Sequence, residues 1–236
     1  MISIDDLLSK ILKSGFANQI ERIGSHSVAN MDEEMKLISR IGSMRCRNFT
    51  IDATNRFAYE NAVRWLHGDS GMRSLNISEK TTVAGDLNKG LYVAGGVGSG
   101  KSLFLEVLSA YSSARGFMVN VGRQTVPLNW KCIRADTVCD EFTRNGSIEK
   151  YKNAPLLCIQ DVGAEPLESL YMGNRVNVIR QVLECRGDRD DCITIISSNL
   201  PFNHRIFIDR YGERCSSRLY KMCNYLIING KDRRKR

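Results

Sequence analysis

The chain has 236 residues, 42% of them apolar and 25% charged, with a formal net charge of +8 and a pI near 9.1. This length suits one large α/β domain with a smaller attachment, and the composition lies far from that of disordered chains. No apolar stretch approaches the ~18 residues that span a bilayer, and the acidic start MISIDDLLSK is unlike a signal peptide, so a cytoplasmic protein with no membrane partner is expected.

The positive balance favours a polyanionic partner, because lysines and arginines near phosphates release condensed counterions. The eight cysteines form no CxxC pair and only three histidines accompany them, so metal-ligand spacing is absent. Cysteines such as Cys158, in LLCI, are expected to be reduced core residues.

In chain order, SIDDLLSKILKSGF puts Ile4, Leu7, Leu8, Ile11 and Leu12 on one helical face, with Ser3 as N-cap and Asp5 and Asp6 in the first turn. MDEEMKLISRIG predicts a second, shorter helix ending at Gly42. Residues 1–45 thus read as a small helical region that docks a partner or the main domain. IDATNRFAYENAVRWLHG reads as a helix entered from a turn, with Phe57, Ala62, Val63 and Leu66 buried. A polar, breaker-rich stretch over 68–90 follows.

The pattern then alternates. GLYVAG is a strand, KSLFLEVLSAYSSARG a helix, FMVNVG a strand, ADTVCDEFTRNG a helix, APLLCIQD a strand, NRVNVIRQVLECRGD a helix and CITIISSNL a strand. Such alternation predicts βαβ crossovers and a parallel sheet flanked by helices.

Between the first strand and helix lies GGVGSGKS, which fills G-x-x-x-x-G-K-[ST] in the context that this motif requires. Gly95, Gly96, Val97, Gly98, Ser99 and Gly100 would curl backbone N–H groups around phosphate oxygens, and the helix adds its positive end. Lys101 would reach the β and γ phosphates of ATP, and the Ser102 hydroxyl would bind Mg²⁺.

The strand LLCI delivers Gln160-Asp161 where ligands bind in open α/β sheets. The usual pair is two acids, one holding Mg²⁺ through water and the other orienting or deprotonating the attacking water. Gln160 offers a carbonyl oxygen but no charge, so slow or conditional hydrolysis is expected. Either Asp161 activates water while Mg²⁺ relies on Ser102 and the phosphates, or Asp161 holds the metal and Glu165 or nothing serves as base. Asp161 as a simple turn cap is the plain alternative.

The last strand ends at Asn199, placed to orient water or sense the γ-phosphate, or else a turn residue before Pro201. IDRYGERCSSRLYKMC then sets Arg210, Arg214 and Arg218 at helical spacing, either as a surface ion-pair face or as arginines reaching the phosphate site of a neighbouring subunit.

FTIDATNRFAYENAVRWLHGD, GLYVAGGVGSGKS, LLCIQDVGAEP, TIISSNL, RYGERCSSRL and INGKDRR occur in this order. Over residues 49–236 the chain resembles the DnaC-type AAA+ ATPases, the bacterial and phage replicative helicase loaders, and is similar also to the IstB transposition helper. The resemblance implies a P-loop AAA+ domain over 49–236, with residues 1–45 docking the helicase. It implies Walker A at Gly95 to Ser102, the second Walker B acid at Asp161 and sensor 1 at Asn199. Arg218 matches the arginine finger, with Arg214 close by, and Arg234 the last arginine of a terminal G-x-S-x-R pattern in which Asp232 replaces serine. ATP, Mg²⁺, single-stranded DNA, a replicative helicase and head-to-tail self-assembly are the implied ligands and partners. A transposition helper that prefers duplex DNA, and a nucleotide-dependent adaptor that hydrolyses weakly or not at all, are the alternatives.

Overall fold

The computed structural model describes residues 3–13, 20–230 and 232–233, and of residues 11–13 the backbone alone. Helix α1 (Ile4–Lys13) opens at Ser3, whose hydroxyl accepts the Asp6 N–H at 3.0 Å, the expected cap. Its described side chains are exposed, Ile4 at 76%, while those of Ile11 and Leu12 lie outside the described residues. After β1 (Ile20–Arg22), helix α2 (Met31–Arg45) starts at Asn30, whose side chain accepts the Glu33 N–H. It runs past the expected end at Gly42, because that glycine serves packing rather than termination: a Cβ there would collide with the Phe49 ring.

Helix α3 (Arg56–His67) ends at Gly68 in the left-handed conformation and buries Ala62, Val63 and Leu66, with Phe57 half-buried. The breaker-rich stretch after it is not all loop. It holds an antiparallel hairpin, β2 (Arg73–Asn76) and β3 (Thr81–Ala84). All four β3 side chains are exposed, so the segment lacks the apolar alternation that marks a strand.

Then come β4 (Gly90–Ala94), α4 (Lys101–Arg115), β5 (Met118–Val121), β6 (Gln124–Pro127), β7 (Cys132–Arg134), α5 (Ala135–Asn145) and α6 (Glu149–Asn153). The chain continues through β8 (Leu156–Val162), β9 (Ser169–Tyr171), β10 (Asn174–Val176), α7 (Val178–Gly187), β11 (Ile193–Ser198), α8 (Arg205–Tyr211), α9 (Glu213–Met222) and β12 (Cys223–Ile227). Asn174–Val176, expected as the start of a helix, instead pairs with β9; the helix begins after Asn177, whose side chain accepts the Arg180 N–H.

The central sheet has five parallel strands in the order β12-β4-β11-β8-β7. Every residue of β4 and β11 is buried, as expected of strands covered on both faces. Alternate side chains split between two cores. Leu91, Val93, Cys158, Ile195 and Leu226 pack on the side of α2, α3 and α4. Tyr92, Ala94, Ile159, Ile196 and Tyr225 pack on the side of α5, α7, α8 and α9.

The strand at FMVNVG is real but does not join the parallel sheet. β5 forms a separate antiparallel sheet in the order β1-β5-β6, and the fifth parallel strand is the three-residue β7. Alternating burial in β5, with Val119 and Val121 inside, is the mark of a strand covered on one face.

Ile20, Met35 and Ile38 lie in the same core as Leu91 and Phe104, so residues 20–45 pack with the parallel sheet. A polar chain reinforces the contact: His26 bonds His67 at 2.8 Å, His67 bonds Tyr111 at 2.6 Å, and Tyr111 donates to Glu34 at 2.7 Å.

Candidate nucleotide site

A cleft of about 630 Å³ opens over the C-terminal ends of β4 and β8, where open α/β sheets bind ligands. Its floor is the loop 95–100. Gly98 and Gly100 have φ of +73° and +103°, values that favour glycine, and so let the loop turn its backbone toward the cleft at the start of α4. A side chain at Gly95 would strike the Ile228 carbonyl and one at Gly98 the Asp232 carboxylate, so both positions also need glycine for close approach.

Lys101 is buried, and its ammonium donates to the Gly95 and Gly96 carbonyls, each at 2.9 Å, and to Asn199 Oδ1 at 2.6 Å. The phosphate-loop lysine and the end of β11 therefore meet in one place, although 98 residues separate them. Ser99 Oγ is buried without a partner in the loop, and Val97 is exposed above it.

The Gln160-Asp161 pair sits on an irregularity in β8. Ile196 is opposite Ile159 and Ser198 is opposite Val162, so two residues of β8 face Ser197 alone. Such a bulge re-aims a side chain. Asp161 takes φ +57°, a left-handed conformation that aspartate tolerates better than most residues, and its N–H donates to Ser197 Oγ at 3.2 Å. Gln160 is buried, with Nε2 3.5 Å from the Ser102 carbonyl oxygen. Asp161 instead lines the cleft, its side chain 27% exposed, and accepts from Arg134 at 3.3 Å.

Glu165, the alternative base, does not face the cleft. Its carboxylate is buried, accepts from the Gly163 N–H at 2.8 Å and from the Tyr211 hydroxyl, and pairs with Arg210 at 3.2 Å. Burial of Tyr211 itself, and then the Glu165 carboxylate, push the Tyr211 hydroxyl far above its ordinary range. A carboxylate so occupied cannot also take a proton from water.

Arg210 is thereby set apart from the other two arginines. Gly212 separates α8 from α9, which breaks the helical spacing read from the sequence, and Arg210 faces inward. Arg214 and Arg218 do share one face. With Asp188 and Glu184 they line a shallow depression none of whose lining residues belongs to the cleft. Arg218 Nε donates to Asp188 at 2.8 Å, which holds that exposed carboxylate below its usual range, and Arg214 is exposed.

Arg234 lies outside the described residues. Its neighbour Arg233 lines the cleft: its N–H donates to the Gly98 carbonyl at 3.0 Å and its guanidinium to Asp52 and Thr54, each at 2.9 Å. The chain end is thus tied across the phosphate loop to the segment before α3. Sequence reasoning missed Arg233, Arg134 and Phe49, which lines the same cleft. Arg134 ends a strand too short to show a pattern, whereas Arg233 is one position from Arg234, which the resemblance singles out.

The geometry fits a nucleoside triphosphate, with glycines at the positive-φ positions, a helix start, a lysine at the loop and an unpartnered buried hydroxyl. Ser102 and Asp161, which both line the cleft, are the side chains that would hold Mg²⁺.

No protein-family model matches the chain, and no curated protein sequence is similar to it. Among solved structures, a candidate primosome component from Streptococcus pyogenes serotype M3 superposes with a TM-score of 0.50 at 19% identity, over 77% of this chain and 83% of that one. With the phosphate loop after the second strand of the order β12-β4-β11-β8-β7, this decides the fold. The chain has a P-loop fold, a parallel sheet flanked by helices.

The DnaC helicase loader aligns with a TM-score of 0.47 at 15% identity, over 78% of this chain and 94% of that one. AMPPCP-bound DnaA from Aquifex aeolicus gives 0.45 at 19%, over 77% of this chain and 48% of that one. Among the described residues no helix is long and apolar enough to cross a membrane.

Proposed function

We propose that this protein is an AAA+ ATP-dependent helicase loader, which binds ATP with Mg²⁺ and single-stranded DNA and delivers a replicative hexameric helicase. The observation that carries the nucleotide part is the Lys101–Asn199 contact, which joins the phosphate loop to the end of β11 over the cleft that Asp161 lines. The loader part rests on the ordered motifs at 49–236, RYGERCSSRL above all, and on the net charge of +8.

In this reading the loop 95–100 binds phosphate through its N–H groups, and Lys101 exchanges its carbonyl partners for β and γ oxygens. Bound Mg²⁺, which Ser102 would hold together with the phosphates themselves, would neutralise their charge. Asp161 orients the attacking water, and Asn199, already on Lys101, reports the γ-phosphate. Arg233 borders the cleft, and Arg234, which the resemblance matches to the terminal arginine, would contact the nucleotide. Arg218, aided by Arg214, completes the site of the next subunit in a head-to-tail assembly. Basic side chains follow the DNA backbone, and the exposed Ile4, Leu7 and Leu8 face of α1 docks the helicase.

Gln160 favours a second reading, a nucleotide-dependent adaptor that hardly hydrolyses, and steady-state ATPase rates separate the two. Asp161→Asn is expected to lower the wild-type rate about a hundredfold, the scale for losing a group that handles the proton of the attacking water, and Gln160→Asp to raise it. Equal background rates for wild type and Asp161→Asn support the adaptor. The loader reading is tested by capture on immobilised protein with ATP or ADP: a replicative helicase retained with ATP and single-stranded DNA bound with ATP are expected, and neither being bound overturns it.

A further inference from the structure

Beneath the Gln160 end of the cleft, the sheet brings two thiols together. β7 and β8 run parallel with Cys132 directly opposite Cys158, and the two sulfurs are 3.5 Å apart. All eight cysteines are free, and no other pair of them has sulfurs in hydrogen-bond contact. We propose that Cys132 and Cys158 are a dithiol redox site that a hydroperoxide oxidises to a cross-strand disulfide.

Cys158 is 1% exposed, and a small oxidant reaches the pair through Cys132. Cys132 is half-buried at the edge of an open groove of about 590 Å³ that Lys131 also lines, together with Arg45 and its ion-pair partner Glu106. The hydrogen bond shared with Cys158 holds the Cys132 thiol below its ordinary value, against its own burial and Glu106, whereas burial pushes the Cys158 thiol well up. The nucleophile is therefore the accessible sulfur and the resolving thiol the inner one.

The Cys132 thiolate attacks one peroxide oxygen, the O–O bond breaks, and the departing oxygen takes a proton to leave as water or alcohol, giving a sulfenic acid. The Cys158 sulfur then displaces the sulfenic oxygen, which leaves as water with the Cys158 proton. The two thiols lose two electrons and the peroxide gains them. Paired strands already stand within the Cα range of a disulfide, so the S–S bond of about 2.05 Å forms by rotation of the two side chains. Such bonds between directly paired strands are strained and easily reduced.

Two residues farther along, in the same register, are Arg134 and Gln160. Gln160 lies against the Ser102 carbonyl and Arg134 holds Asp161, so strain in a disulfide two residues away would be passed to the cleft. This last step rests on the nucleotide reading above.

The test uses the full reduced chain, freed of reductant, treated with one equivalent of hydrogen peroxide, alkylated and mapped by peptide mass spectrometry. A peptide linking Cys132 to Cys158, reversed by dithiothreitol, is expected, with the other six cysteines alkylated. Full alkylation of both cysteines, or sulfinic acid on Cys132 with no link, overturns the site. In Cys158→Ser, Cys132 is expected to stop at the sulfenic acid and to be labelled by dimedone; where that variant does not fold, the wild-type map decides alone. A fluorescent ATP analogue is expected to bind the oxidised chain several-fold more weakly than the reduced one, and equal affinity overturns the coupling. A reduced chain that binds no nucleotide contradicts the nucleotide reading and leaves the peptide map to decide the thiol pair.

Discussion

Arg218→Ala is expected to lower ATP turnover by about a thousandfold, to the background, while leaving ATP affinity within a few-fold, because an arginine supplied in trans acts on the charge of the transition state. None of the residues around Arg218 lines the cleft of its own subunit. A direct role within one chain is therefore closed to it, and head-to-tail contact would bring it to the next cleft. Mixing supplies the decisive readout. Asp161→Asn and Arg218→Ala chains, each inactive alone, are expected to regain activity at about a quarter of the sites when combined in equal amounts, since one interface in four pairs an intact cleft with an intact arginine. Recovery of no activity would assign Arg218 to its contact with Asp188, a structural role on its own surface. Arg214→Ala, measured alongside, divides the work between the two arginines.

Arg186→Met is expected to destabilise the fold by about 3 kcal/mol and to lower Tm by roughly 10 °C, read by circular dichroism. Arg186 is 0% exposed. Its guanidinium donates to Thr194 Oγ1 at 2.8 Å, to the Tyr151 and Ala154 carbonyls at 3.0 and 2.7 Å, and to the Ile193 carbonyl at 2.8 Å. Two of these acceptors lie at the end of α6, where carbonyls lack helical partners, and two lie in β11. A methionine fills the volume but leaves the acceptors buried without donors. Arg186→Lys is expected to recover only part of the loss, because one ammonium cannot reach both sides as the planar fork does. An unchanged Tm in Arg186→Met would contradict the clamp.

The phosphate loop was legible because the glycines, the lysine and the flanking strand and helix are all local, and the parallel sheet followed from the long apolar runs of β4, β8 and β11. What the residues did not disclose depends on contacts distant in sequence. β5 reads like any strand, and its exclusion from the parallel sheet is decided by its pairing with β1, about 100 residues earlier. β7 has three residues, too few for a period. The spacing of Arg210, Arg214 and Arg218 implied one face, but Gly212 breaks the helix and Arg210 turns inward to Glu165. The bulge at Gln160-Asp161, which sends one side chain to Ser102 and the other to the cleft, follows from the register with β11 and not from the two residues themselves.

The central claim is that Lys101 and the loop before it cradle the phosphates of ATP. Titration of the full chain with a fluorescent ATP analogue and Mg²⁺ tests it most directly, with Lys101→Ala as the comparison. Saturable binding that weakens by about a hundredfold in Lys101→Ala is expected, the scale of a lost charged hydrogen bond in a buried site. Absence of binding to the wild-type chain, or equal affinity in a folded Lys101→Ala chain, would contradict it.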